Sequence, residues 1–141
     1  KNTNQVNNVV CFQKAVGVNN NHVKLYMHEN AKSNKIKWST GSSLLSHKGN
    51  VNEEEYELVE CIDFIEFLEK TDKYIALIKI DIEGSEIDIL NQLIDKDIYK
   101  KIGQIFVEVH DNKMPELAIP TNNLREKIIH KKILNINLDW E

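Results

Sequence analysis

The chain has 141 residues, 41% of them hydrophobic and 28% charged, and a net charge of -4. That length supports one hydrophobic core rather than two, and the acidic balance provides no general attraction for nucleic acid or anionic lipid. No apolar run approaches the ~18 residues of a membrane-spanning helix, and the opening "KNTNQVNN" lacks the hydrophobic segment of a secretory signal.

Residues 9–12, "VVCF", are a short β-rich run and predict a first strand, while "HVKLYMH" alternates Val23, Leu25 and Met27 with Lys24, Tyr26 and His28, the period of a half-buried second strand. From Glu29 to Asn50 the pattern disappears. A connection of that length is either mobile or built for binding. "YELVECI" predicts another strand, and Asp63 with Glu66 forms a capping-box pattern opening a short helix that carries Phe64, Phe67 and Leu68.

"ALIKID" predicts the next strand. Gly84 then permits a tight turn, Ser85 with Asp88 repeats the capping pattern, and Ile87, Leu90 and Ile94 recur at helical spacing. "QIFVEVH" follows as a strand, with Gly103 as the break before it. Strand, helix and strand together have the length of a βαβ crossover in a parallel sheet, so the expected class is α/β. Thr121 is expected to cap a helix bearing Leu124 and Ile128. "ILNINLDW" alternates Leu134, Ile136, Leu138 and Trp140 with polar residues, as an antiparallel edge strand does.

Cys11 and Cys61 lie far apart inside apolar stretches, which predicts packed thiols rather than a disulfide or zinc site, and a reducing, cytoplasmic setting. Residues 1–141 are read as one domain. Because the chain opens at Lys1, the expectation is a partial domain cut from something longer.

Side chains alternate across a strand, so Lys79, Asp81 and Glu83 share one face and Gln104, Phe106, Glu108 and His110 share the matching face of the next strand. Both strands become more polar toward their carboxyl ends, which is where ligands bind in open α/β sheets. A structural ion network, with Lys79 pairing Asp81 or Glu108 and with Glu83 or Glu86 at a helix start, is the other reading of these charges. Asp81, Glu83, Glu108 and His110 are metal-ligand types, but their spacing matches no specific metal motif, and no metal is expected.

The segment "IKIDIEGSEIDIL" resembles the K-x-D-x-E-G-x-E segment of the FkbM family of S-adenosylmethionine-dependent methyltransferases. The likeness extends through "NNVVCFQKAVG", "VKLYMH", "STGSSLL", "VECIDFIEFL", "IFVEVH" and "NINLDW". It implies a Rossmann-like class I methyltransferase fold with a mostly parallel sheet and a C-terminal antiparallel strand. It also implies S-adenosylmethionine as cofactor and methyl transfer to a hydroxyl of a small molecule or sugar; from charge and hydropathy, neither nucleic acid nor membrane is expected as partner. Asp81 is the first candidate for the catalytic base, His110 the second, and Glu108 the third catalytic residue. Lys14, Ala15, Asp81, Glu83 and Gly84 are the implied cofactor-binding positions, while Ser39, Ser42 and Ser43 would line the acceptor pocket. A plain strand exit at Lys14 and Ala15, and a solvated serine-rich loop, read identically.

The family normally opens with a glycine-rich turn and an acidic residue that hold the methionine part and ribose of the cofactor. Gly17, Gly41, Gly49, Gly84 and Gly103 form no such cluster. The first strands of the domain are therefore expected to be absent from this chain, leaving an exposed sheet edge through which it self-associates. The alternative function is a catalytically inactive, methyltransferase-like binding module or fragment.

Overall fold

The computed structural model describes residues 8–33, 37, 42–46 and 48–140. The first sheet holds β1 (Ala15–Gly17), β2 (Asn21–His28) and β3 (Val51–Asp63) in the order β1-β3-β2. β2 runs antiparallel to β3, with Val23 opposite Val59, and a register shift between Tyr26 and His28 marks a bulge. β1 pairs parallel with the far end of β3, Ala15 opposite Cys61.

The second sheet is all parallel and holds β4 (Ile75–Ile80), β5 (Ile102–Val107) and β6 (Ile136–Asn137) in that order. Helices α1 (Phe64–Glu69), α2 (Glu86–Asp95) and α3 (Ala118–His130) supply its packing partners. On α2, Ile87, Leu90 and Ile94 recur at helical spacing and are buried together with Ile89 and Leu93. They meet Ile105 and Val107 of β5, Leu124 of α3 and Ile65 and Leu68 of α1 in one core. Fully burying each such side chain contributes about 1.5–3 kcal/mol relative to leaving it in water. This is the α/β, Rossmann-like arrangement expected, with β4, α2 and β5 forming the strand, helix, parallel-strand unit.

Several local expectations are corrected. Residues 9–12 form no strand: Val9, Val10 and Phe12 are exposed, and pairing begins only at Ala15, where the end of β3 offers a ladder. Cys11 is likewise exposed rather than packed, whereas Cys61 is buried, and the two form no disulfide. Gly103 lies inside β5, and the chain reverses earlier, through Asp97 at φ 59° and the 3-10 turn Ile98–Lys101. A Cβ on Gly103 would come within 2.5 Å of the Ala76 carbonyl oxygen, so close strand approach explains this glycine.

At α1 the expected cap is half present. The Asp63 carboxylate accepts the Glu66 N–H at 3.0 Å, but the Glu66 carboxylate turns to Lys70 and Asn20, and Asn20 Oδ1 accepts the Asp63 N–H instead. Ser85 makes no capping bond at α2. Helix α3 starts three residues before Thr121, which is buried within it rather than capping it. Pro120 is tolerated there because first-turn N–H groups have no intrahelical acceptor. The C-terminal run pairs parallel with β5 over Ile136–Asn137, not antiparallel, and only the isolated Glu108–Asp139 bridge is antiparallel. With Asn135 O accepting the Ile105 N–H, the run enters the sheet beside β5 in the same direction. No helix of the described residues is long and apolar enough to cross a membrane.

Candidate active site

β4 and β5 lie side by side, with Lys79 opposite Phe106 and Ile80 opposite Val107. One residue further on, the Glu108 N–H donates to the Ile80 carbonyl at 3.0 Å. Asp81 and Glu108 therefore emerge from neighbouring strand ends on the same face, as the alternation of side chains requires. Ligand atoms of Asp81, Glu108 and His110 all lie within 4.8 Å of one another.

After Asp81 the chain turns through Glu83 at φ 59° and Gly84 at φ 114°. The left-handed conformation of Glu83 is costly for a side-chain residue, by about 1–3 kcal/mol, and such positions concentrate where function over-determines the backbone. Two contacts hold it. The Ser43 hydroxyl donates to the Glu83 carbonyl at 2.7 Å, and the buried Lys48 ammonium pairs with Glu83 Oε2 at 2.6 Å. The long connection between β2 and β3 thus reaches the turn. Gly84 is crowded rather than open: a Cβ there would fall 2.5 Å from Leu45 Cδ1 and 2.8 Å from Met114 Cε.

Glu86, read above only as a helix-start decoration, is the buried centre of the turn. Its carboxylate accepts the N–H groups of Ile82 at 3.1 Å and Gly84 at 2.9 Å, which ties the turn together ahead of the helix. Its Oε1 stands 3.1 Å from Nδ1 of His110, whose imidazole is also fully buried. Among the described residues neither ring nitrogen has a hydrogen-bond partner. The 3.1 Å contact is a close ion pair when the imidazole is protonated. Burial alone would raise the Glu86 carboxyl, but the His110 contact and the N–H groups of the turn outweigh burial and hold it below the ordinary range. Glu86 raises the His110 imidazole most, against burial, with Glu83 adding to the rise and Lys113 opposing it.

The other ring nitrogen, His110 Nε2, faces Glu83 Oε2 at 3.3 Å, Glu108 Oε1 at 3.8 Å and Asp81 Oδ1 at 3.9 Å. Lysines serve the same carboxylates from outside: Lys79 reaches Asp81 Oδ2 at 2.6 Å and Lys113 reaches Glu108 Oε1 at 3.4 Å. The structural network weighed for Lys79 is thus present alongside the converging group.

Two cavities flank these residues. One, of about 480 Å³, is lined by Lys14, Ala15, Ser42, Ser43, Asp81 and Glu83, with apolar walls from Val16 and Leu25. The other, of about 470 Å³, is lined by Glu108, Asp111, Lys113, Arg125, Asp139 and Trp140. Lys14 pairs with Glu60 at 2.8 Å on the rim of the first sheet. Gly84 lines neither of these cavities and acts through the turn, while Ser39 lies outside the described residues.

Sequence reasoning missed Glu86 and Lys48. The final Glu of the quoted K-x-D-x-E-G-x-E segment was the available signal for Glu86. Lys48 is separated by 35 residues from Glu83, and no spacing rule connects them. The family model described as "Methyltransferase FkbM domain" matches residues 1–133. No curated protein and no solved structure matches the chain.

Proposed function

The chain belongs to the FkbM methyltransferase domain family, and from that premise we propose that it transfers a methyl group from S-adenosylmethionine to a hydroxyl of a small molecule or sugar. The observation that carries this reading is the convergence of carboxylates from two flanking cavities. Asp81 lines the first and Glu108 the second, and the two carboxylates converge on His110 Nε2.

The first cavity suits the donor. Val16, Leu25 and Ile82 provide apolar surface for a planar base, and Asp81 and Glu83 provide negative charge where a sulfonium or an amino group would lie. Bound there, the donor supplies an electrophilic methyl carbon. The second cavity combines Asp111, Asn112 and Arg125 with the half-exposed Trp140 ring, a mixture suited to an acceptor rich in hydroxyls.

The reaction is an in-line displacement: the acceptor oxygen bonds to the methyl carbon as the carbon–sulfur bond breaks and its electron pair returns to sulfur. Orientation supplies most of the rate gain, and a positioned base adds ~10²- to 10⁴-fold. Asp81 Oδ1 is the first candidate to take the hydroxyl proton, because Lys79 occupies only Oδ2. His110 Nε2 is the second, its ring fixed at Nδ1 by Glu86. Glu83, held by Lys48, shapes the floor of the donor cavity.

Calorimetric titration of the full-length protein with S-adenosylmethionine tests the reading. One donor site per chain is expected. A folded sample that gives no heat of binding removes the enzyme reading and leaves a binding module.

A further inference from the structure

His110 is 1% exposed, yet Nε2 has no hydrogen-bond partner and is aimed at oxygens of Asp81, Glu83 and Glu108. A cation held among these oxygens would take the buried imidazole as a neutral ligand and offset the negative charge gathered around it. We propose that Asp81 Oδ1, Glu108 Oε1 and His110 Nε2 bind a divalent transition-metal ion between the ends of β4 and β5.

The geometry selects three ligands from the four candidates. Glu83 Oε2 is already paired with the Lys48 ammonium at 2.6 Å, whereas Asp81 keeps Oδ1 clear of Lys79, and Lys113 stands 3.4 Å from Glu108 Oε1. The two chosen carboxylate oxygens stand 3.8 and 3.9 Å from His110 Nε2. An ion with bonds of about 2.1 Å spaces its ligands by about 3.0–3.4 Å, so side-chain shifts of under about 1 Å close the shell. Two carboxylates with one imidazole suit manganese, iron or zinc better than magnesium or calcium, which prefer oxygen alone.

Glu86 completes the pattern from behind. A metal-binding histidine commonly directs its other ring nitrogen at a carboxylate, which orients the ring and strengthens it as a ligand, and Glu86 Oε1 lies 3.1 Å from Nδ1. Three protein ligands leave coordination positions open, and with the ion bound Asp81 Oδ1 and His110 Nε2 are ligands, so the roles as base given to them above are those of the metal-free protein. The part such an ion plays in methyl transfer rests on the function proposed above. Its binding does not.

The test uses chelator-treated protein titrated with Mn²⁺, followed by electron paramagnetic resonance of the free ion, and with Zn²⁺ by calorimetry, in the absence of donor. One site per chain is expected, weakened more than about tenfold in Asp81→Asn and in Glu108→Gln, while Lys113→Ala binds at least as well as the parent. Bound Mn²⁺ should also broaden amide resonances near Asp81 and Glu108. Absence of one-to-one binding, or binding that survives both carboxylate substitutions, overturns the site. Circular dichroism confirms that each variant is folded. S-adenosylmethionine binding measured on the same chelated protein separates the two readings, since donor binding without metal binding contradicts only this one.

Discussion

Glu86 Oε1 lies 3.1 Å from Nδ1 of His110, and both side chains are buried between the start of α2 and the segment after β5. The same Glu86 carboxylate accepts N–H groups from Ile82 and Gly84, so one acid joins the turn after β4 to the imidazole after β5. Replacing it by glutamine keeps an acceptor for the turn but removes the charge facing His110. Glu86→Gln should lower folding stability by about 1–3 kcal/mol, read as a lower urea midpoint at unchanged slope. An unchanged midpoint would mean that the pair contributes nothing.

The pair also sets a pH window in metal-free protein. Around His110 stand Glu86, Glu83, Asp81, Glu108 and Lys113. Its pKa is raised above 6.5, so its contribution is complete below that value and disappears as pH rises through the raised one. Glu86 is lowered below 4.5, so its contribution is complete above that value and disappears as pH falls through the lowered one. Urea midpoints should therefore be highest between those limits and fall on both sides. In Glu86→Gln both arms should flatten; arms as steep as the parent's would assign the dependence to other groups.

Gly84 combines φ 114° with atoms of Leu45 and Met114 within 3 Å of where a Cβ would stand. Gly84→Ala therefore meets both a disfavoured backbone and an overpacked neighbour. The expected loss is about 2–4 kcal/mol in thermal or urea unfolding. A loss below about 0.5 kcal/mol would show that the turn relaxes freely.

The two cysteines should react very differently. Burial, with help from Asp63, raises the Cys61 thiol above its ordinary value, so little of it is thiolate at neutral pH, whereas Cys11 is exposed. Iodoacetamide followed by peptide mass mapping should label Cys11 first and Cys61 only in denaturant. Equal labelling of both in native protein would contradict the packing of β3 against Gly17.

The sheet that builds the site was legible because strand parity is local: Lys79, Asp81, Phe106 and Glu108 follow directly from the two-residue period and the parallel pairing of β4 and β5. The apolar face of α2 was legible for the same reason, with a period of 3.6. What escaped depended on tertiary placement. "VVCF" has strand propensity but no ladder to join, and Ser85 follows a turn held by Glu86 and makes no capping bond of its own. Gly103 was taken for a break because a glycine's need for space beside Ala76 is invisible until the neighbouring strand is present. Lys48 reaches Glu83 across a long connection whose contacts have no sequence period.

The most direct test of the central claim is transfer of an isotopically labelled methyl group from S-adenosylmethionine to a panel of hydroxylated sugars and polyketides, comparing the parent with Asp81→Asn. The account predicts labelled product from the parent and, at saturating donor, a loss of ~10²-fold or more in the variant's turnover with the fold retained. Asp81→Asn turning over at the parent's rate would contradict the assignment of chemistry to the meeting point of β4 and β5.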